Sequence, residues 1–230
     1  MENVLDIYKR PYNPEFPVVC MDEAPRQLIK ETRSPTPCIP GRPERHDYEY
    51  ARCGVYTIFI ANEPLAGKRL TKTTERRTRI DWALFIQELA GHYKDAKKIT
   101  LIMDNLNTHK PGSLYEAFSP QEAKRIWDRF EFVHTPKHGS WLNMAEIELN
   151  VLTGQCLNRR IDSIEKVRAA VSAWQIRIDV SKDPIDRNRL GTEPYARWCG
   201  RTAGVTPPPT RSHRSKNVPT FFKKGSAIRR

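Results

Sequence analysis

The sequence lacks the features that mark membrane, secreted and zinc-binding proteins. Its longest mainly apolar run, Val55 to Ala61, is far shorter than the ~20 residues that a membrane-spanning helix requires. The first residues, Met-Glu-Asn-Val-Leu-Asp, have neither the basic nor the apolar segment of a signal peptide. The five cysteines are scattered without a Cys-x-x-Cys pair, which argues against a zinc site and a disulfide framework. We therefore expect a cytoplasmic protein with no membrane partner and with reduced, mostly buried cysteines.

Acidic residues are absent from the last thirty positions. Residues 201 to 230 contain eight Lys or Arg, so this stretch carries +8 of the net charge of +12 and leaves +4 for the first 200 residues. A strongly basic chain is expected to bind a polyanion, with nucleic acid as the first candidate and an anionic membrane as the second. Because two thirds of the charge lies in one stretch, the charge alone says little about the folded part.

Short apolar runs predict a sheet. At 230 residues the chain has room for one large domain with an appendage. Buried or half-buried strands are predicted at Phe16–Met21, Gly54–Ala61, Lys68–Thr74, Ile99–Met103 and Phe130–His134, the second and third of these as a hairpin. Residues 24 to 50 include four prolines within nine residues and are predicted to form a surface loop.

Helical periodicity occurs between and after these strands. Helices are predicted from Thr78 to Tyr93, from Ser113 to Arg129 with a break at Ser119-Pro120, from Leu142 to Cys156 and from Ser163 to Ile176. Thr78 and Asp81 are alternative caps for the first helix. The order of elements predicts an α/β fold, a mixed sheet flanked by helices, over residues 1–178. Residues 179–230, which are basic and Pro-rich, are predicted to be a disordered tail.

Two of the predicted strands are each followed by an aspartate, Asp22 and Asp104. Ligands of open α/β sheets collect at the carboxyl ends of the strands, so neighbouring strands would bring both carboxylates to one edge. A third acid is expected from the helix after Ser140, where Glu146 and Glu148 are candidates. Carboxylates gathered in this way repel one another unless a cation lies between them, and their oxygens suit Mg²⁺ or Mn²⁺. A single aspartate after a strand is more often a turn or cap residue. Two such aspartates, together with the downstream segment from Thr135 to Glu146, outweigh that interpretation.

Three motifs occur in order: Cys-Met-Asp22-Glu, Met-Asp104-Asn-Leu-Asn-Thr-His109, and Gly-Ser-Trp-Leu-Asn143-Met-Ala-Glu146. Over residues 16 to 174 the sequence resembles the DDE transposases of the Tc/mariner superfamily, in their bacterial insertion-sequence branch. The resemblance implies a ribonuclease-H-like fold in which Asp22, Asp104 and Glu146 bind two Mg²⁺ or Mn²⁺ ions. It also implies hydrolysis of double-stranded DNA at the inverted repeats of an element, followed by strand transfer into target DNA.

The choice between the two glutamates favours Glu146. In the family the acid lies three residues after the Leu-Asn pair, which is the position of Glu146. On a helix Glu146 also lies close to the side that faces the sheet. Glu148 is about 200° further round the helix and is expected to face solvent.

Polar and aromatic residues beside the acids have expected roles of their own. Contacts with DNA phosphates are expected from His109, Lys110, Lys137 and His138, although loop residues of these types are often only solvated. Trp141 is a candidate for stacking on a base or for packing at a helix start. Asn105 and Asn143 are expected either to orient the metal ligands or to cap neighbouring backbone.

The sequence departs from the family in three places. Only about 15 residues precede the first strand, so we expect the helix-turn-helix part to be missing here and to be separately encoded. The separation of Asp104 from Glu146, 41 residues, is longer than usual. After about Gln175 nothing matches, and the composition resembles translation in a shifted frame.

We therefore predict that the chain is the catalytic core of a truncated transposase that acts on DNA. A homodimer is the candidate assembly. Two alternatives remain open at this point. One is an inactive transposase remnant or a DNA-binding protein that keeps the fold. The other is a cellular ribonuclease-H-like nuclease, which the third motif disfavours.

Overall fold

The computed structural model describes residues 1–43 and 45–180, and these form a mixed five-stranded sheet with helices on both faces. The strands are β1 Val18–Glu31, β2 Tyr50–Glu63, β3 Lys68–Thr74, β4 Ile99–Met103 and β5 Phe130–His134. Their spatial order is β3-β2-β1-β4-β5. β1 runs antiparallel to β2 and parallel to β4, and β4 runs parallel to β5. The predicted α/β class is confirmed.

In the described residues the sheet is flanked by the α-helices α1 Glu2–Tyr8, α2 Arg79–His92, α3 Pro111–Ala117, α4 Pro120–Trp127, α5 Ala145–Leu152 and α6 Ile164–Val180. A 3-10 turn, Ser140–Leu142, precedes α5, and a π-helical segment, Thr153–Leu157, follows it. Helices α2 to α4 cover one face, and α1, α5 and α6 cover the other. Among the described residues, none of the helices combines the length and the apolarity needed to cross a membrane.

Local capping signals place two helix starts where the sequence predicts them. Thr78 and Asp81 act together in a capping box at α2, since the Thr78 side chain accepts from the Asp81 amide and the Asp81 carboxylate accepts from the Thr78 amide. Ser119 caps α4 and Pro120 occupies its first turn. These contacts satisfy amide groups that a helix start otherwise leaves without a partner.

Side chains of β1 alternate between the two faces of the sheet, as the pleat of a strand requires. Val19 and Met21 pack with α2 to α4, whereas Cys20 packs with α5 and α6. The same alternation assigns Asp22 to the α5 face and Glu23 to the α2 face. Two adjacent carboxylates thereby belong to two different environments.

The predicted loop at residues 24 to 50 is wrong over its first and last parts. β1 continues to Glu31 and pairs with Tyr50–Val55 in a long antiparallel ribbon. Pro25 lies inside this strand, although proline normally disfavours a strand interior. It is tolerated because the pairing of β1 with β4 ends at Cys20, so one side of β1 is an edge at Pro25.

Two further expectations need correction. The predicted helix from Leu142 to Cys156 is interrupted, because the Thr153 hydroxyl donates to the Leu149 carbonyl and accepts from Arg26 where the backbone widens into the π-helical segment. Among the cysteines, Cys38 and Cys53 are exposed rather than buried. The predicted tail lies outside the described residues from position 181 onward, and α6 extends through the first two of its positions.

Candidate active site

Asp22 and Asp104 lie at the edge where the parallel strands β1 and β4 part. The paired residues of these strands end with Cys20 opposite Ile102, and each aspartate comes two residues later. The sequence suggested that the strand ends before Asp22, but β1 continues past this residue along β2. The pairing with β4 nevertheless ends two residues before Asp22, and the carboxyl ends of parallel strands are where α/β sheets bind ligands.

The carboxyl group of Asp22 is electrostatically unfavourable in its charged form. Burial is the main cause that raises its pKa to about 7, and the charges of Asp104, Glu23 and Glu146 raise it further. A hydrogen bond from the Glu23 amide to Asp22 Oδ1, 2.8 Å long, opposes the shift. The charges of Asp104 and Glu146 therefore both act on Asp22, and a cation beside Asp22 would relieve the repulsion.

Thr135 orients Asp104, and sequence reasoning missed it. Its hydroxyl donates to Asp104 Oδ1 over 2.8 Å, and its amide donates to the Met103 carbonyl over 3.0 Å. Thr135 is buried and directly follows β5, the strand that neighbours β4. Its position at the end of that strand is the signal that could have identified it.

Glu146 and Glu148 lie in different environments, and the environment of Glu148 is the opposite of the expected one. Glu148 is buried rather than solvent-facing, and its carboxylate forms two hydrogen bonds with Arg69 of β3, 2.5 and 2.9 Å long. The prediction that Glu148 faces solvent is wrong, because its carboxylate pairs with the buried guanidinium of Arg69, which lies 79 positions earlier in the chain. Glu146, in the first turn of α5, is half-buried and contributes to the raised pKa of Asp22. This contrast supports Glu146 as the third acid.

The two predicted asparagines differ in their surroundings. Asn143 is buried, donates to the Met21 carbonyl over 2.8 Å and accepts from the Ala145 amide over 3.2 Å. It thus attaches the start of α5 to β1 beside Asp22 through backbone contacts. Asn105 is exposed.

His109 is buried, so the expectation that it contacts DNA phosphates is wrong. Its Nε2 lies 2.8 Å from Glu23 Oε2 and its Nδ1 lies 2.7 Å from the Asp104 carbonyl, while its ring stacks on Trp82. Burial lowers the pKa of His109, but the hydrogen bond and charge of Glu23 and the contact with Asp104 outweigh it and raise the pKa overall. Sequence reasoning did not single out Glu23, although it directly follows Asp22.

The other predicted DNA contacts are accessible. Lys110, Lys137 and His138 are exposed, and 55% of Trp141 is exposed. Lys110 Nζ donates to Asn107 over 3.3 Å within its own loop. His138 has a φ of 65°, the left-handed conformation that turns the loop after β5 toward the 3-10 turn.

A divalent cation fits the chemistry of these donors. Within the described part of the chain, the hydrogen bonds of these three carboxylates involve no Lys or Arg, and such oxygens favour a hard cation. In residues 1–43 and 45–180, no three acidic, His or Cys side chains already converge at metal-binding distances. The donor types thus fit, and the described arrangement is not a closed metal cage.

A mixed sheet with acidic side chains at the opening between its central parallel strands defines an acid-lined α/β nuclease-like domain. Residues 17–168, well over half of the chain, match the family model described as DDE superfamily endonuclease. The chain belongs to this family. No curated protein sequence matches it significantly.

Solved structures share the fold. The Mos1 transposase paired-end complex with the left transposon end has a TM-score of 0.56 at 17% identity, over 86% of this chain and 58% of that chain. The Mos1 mariner paired-end complex with Mn has a TM-score of 0.54 at 16% identity, over 82% and 55%. A Mos1 strand transfer complex gives 0.55 at 16% identity, over 86% and 57%. The ribonuclease-H-like fold is thereby confirmed, and the chain spans little more than half the length of these transposases.

Proposed function

We propose that this chain is the catalytic core of a DNA transposase that hydrolyses phosphodiester bonds at the ends of an element and then transfers the strand to target DNA. The observation that carries the proposal is the placement of Asp22 and Asp104 at the opening between two parallel strands, with Glu146 near enough to raise the pKa of Asp22. Membership of the DDE endonuclease family supports it. So does the resemblance in fold to transposases bound to transposon ends.

Asp22, Asp104 and Glu146 would hold two divalent cations in the proposed active form. Mn²⁺ and Mg²⁺ are the proposed ions, and the Mos1 mariner paired-end complexes with Mn and with Mg support this choice. When bound, such ions polarise the scissile phosphate and stabilise the leaving oxygen. The contribution of the chain is to orient the three carboxylates. Thr135 fixes one oxygen of Asp104, and Asn143 holds the start of α5 against β1. The choice of Glu146 over Glu148 follows from the ion pair that engages Glu148.

Both chemical steps balance with DNA and water alone. In hydrolysis, water adds to phosphorus and the bond from phosphorus to the 3′ oxygen breaks, which leaves a 5′-phosphate and a 3′-hydroxyl that has taken a proton from the water. In strand transfer, that hydroxyl attacks a phosphodiester of target DNA and a new 3′-hydroxyl leaves. In strand transfer one phosphodiester forms for each one that breaks, so this step requires no nucleotide cofactor.

Double-stranded DNA is the proposed partner, bound at inverted repeats and at a target site. Lys110, Lys137 and His138 provide exposed basic groups in the segments that follow β4 and β5, and Trp141 provides an exposed ring. A separately encoded helix-turn-helix part, a homodimer and a cytoplasmic location belong to the same proposal.

The test is a nicking and strand-transfer reaction with the full chain and a supercoiled plasmid that carries the DNA flanking the gene. Mn²⁺ or Mg²⁺ is expected to support nicking, and Asp104→Asn is expected to abolish it. Asp95→Asn is the matched control, because Asp95 is an exposed aspartate before β4, at the opposite end of that strand. Equal nicking by Asp104→Asn and the wild type would refute the three-acid mechanism. DNA binding without metal-dependent nicking would favour the inactive remnant.

A further inference from the structure

The backbone pairing of β1 with β4 does not reach the two aspartates. It ends with Cys20 opposite Ile102, after which Asp22 continues along β2 and Asp104 enters the loop that leads to α3. Hydrogen-bonded neighbouring strands hold a constant separation. Beyond the last pair, the distance between the two carboxylates requires another restraint.

Glu23 and His109 provide contacts across this gap on the opposite face of the sheet. Glu23 is joined to Asp22 by one peptide bond, and its Oε2 lies 2.8 Å from His109 Nε2. His109 in turn contacts the Asp104 carbonyl through Nδ1 at 2.7 Å. The side chains of Glu23 and His109 are both only 1% exposed, so water does not compete for these hydrogen bonds. The Trp82 ring, 5.6 Å away between centroids, fixes the plane of the imidazole.

We infer that Glu23 and His109 are positioning residues that set the separation of Asp22 and Asp104 for cation binding. Neither side chain is placed to contact the cation itself, since Glu23 faces α2 while Asp22 faces α5. The inference rests on the proposed function, because it concerns the geometry of the same acids. It assigns the acid that follows Asp22 and the histidine of the second motif to one shared task.

The hydrogen bond to His109 uses only one oxygen of Glu23. The other, Oε1, is buried, has no hydrogen-bond partner among the described residues and lies 3.9 Å from an Arg77 nitrogen. A glutamine at position 23 retains an acceptor for His109 Nε2, whereas a leucine of similar size removes it. If Glu23 acts as a positioning residue, Glu23→Gln should keep most of the affinity for the cation and Glu23→Leu should lose it.

Glu63 offers a closely matched control. It is also a buried glutamate of the sheet, 2% exposed. One of its oxygens lies 3.9 Å from Lys68 and has no hydrogen-bond partner in residues 1–43 and 45–180. Glu63 lies four residues along β2 from Phe59, the residue paired with Glu23, a distance of about 13 Å. Glu63→Leu thus reproduces the removal of a buried carboxylate without touching the aspartates.

The experiment measures Mn²⁺ binding to the full chain by calorimetry, with thermal unfolding of every variant as the check on folding. Glu23→Leu is expected to weaken Mn²⁺ binding by about 10- to 100-fold, as loss of groups that orient metal ligands does. Glu23→Gln is expected to weaken it much less, and Glu63→Leu is expected to leave it unchanged. His109→Phe keeps an aromatic ring beside Trp82 and should reproduce Glu23→Leu, which preserves the test if that variant does not fold.

The outcomes separate this inference from the proposed function. If Asp104→Asn abolishes Mn²⁺ binding while folded Glu23→Leu or His109→Phe binds as tightly as the wild type, only the positioning role is overturned. If Asp104→Asn binds Mn²⁺ like the wild type, the acids form no cation site and both proposals fail. A loss of affinity in Glu23→Leu that Glu23→Gln restores, at equal thermal stability, supports the positioning role.

Discussion

Removing one partner of the buried Arg69–Glu148 ion pair is expected to destabilise the protein strongly. The two side chains are 3% and 2% exposed and share two hydrogen bonds. In Glu148→Leu the Arg69 guanidinium keeps a hydrogen bond to the Gly67 carbonyl but loses its counter-charge. An uncompensated buried charge costs about 3–5 kcal/mol. For a chain of this size that corresponds to a fall in Tm of roughly 6–20 °C.

The double variant Arg69→Met/Glu148→Leu tests the physical cause. Replacing both charges by apolar side chains of similar size removes the unpaired ion, so stability should return to near or above the wild-type value. Denaturant unfolding of the wild type, both single variants and the double variant yields the coupling free energy between the two positions. A solvent-facing Glu148 would instead give a loss within about 0.5 kcal/mol for its single variant. That small value, or simple additivity of the two single variants, would refute the buried pair.

The same set of variants separates the roles of the two glutamates of α5. If Glu148 serves only to attach α5 to β3, the folded double variant should retain metal-dependent nicking. Glu146→Gln should abolish nicking while it leaves the unfolding free energy nearly unchanged, because Glu146 is half-buried and is not part of the ion pair. Loss of nicking in a stable double variant would assign Glu148 a direct role in the reaction.

Two further predictions concern single residues of the site. The pKa of Asp22 is 3.8 when unfolded and about 7 when folded, so the folded protein binds the extra proton between these values and stability falls as pH rises through that range. In buffers without divalent ions, the stability of Asp22→Asn relative to the wild type should therefore increase from about pH 4 to pH 8. Thermal unfolding at both pH values measures this difference, and the same difference at both would contradict the prediction. Trp141→Ala should weaken DNA binding in fluorescence anisotropy by about 1–3 kcal/mol if the exposed ring stacks on a base, whereas Tyr115→Ala, which removes another exposed ring, should not.

Elements defined by local signals could be predicted from the sequence with accurate bounds. The β-branched and aromatic runs Ile99–Met103 and Phe130–His134 are strands with the predicted ends. Ser119 before Pro120 defines a helix start through contacts within one turn. In each case the residues that decide the structure are neighbours in sequence, so their spacing contains the information.

Contacts between distant residues account for what could not be predicted. The extension of β1 past Asp22 depends on pairing with Tyr50–Phe59, and its polar side chains and Pro25 resemble a loop when read alone. Glu148 is buried because Arg69 lies opposite, 79 positions earlier, and His109 because Glu23 lies 86 positions earlier. A charged side chain is predicted to be exposed unless its partner is known, and a single sequence does not name the partner.

The order of the dipeptide Asp22-Glu23 determines which carboxylate lies on the α5 face of the sheet and which lies on the α2 face. Successive residues of a strand face opposite sides of the sheet, so exchanging the two residues would send the longer side chain toward α5 and the shorter one toward α2. The shorter side chain would not span the distance to His109 Nε2 that Glu23 Oε2 reaches at 2.8 Å. The longer one would crowd Asp104 and Glu146, whose charges already raise the pKa of Asp22. The proposed roles of the two acids therefore depend on this order, in which Asp22 faces α5 and Glu23 faces α2.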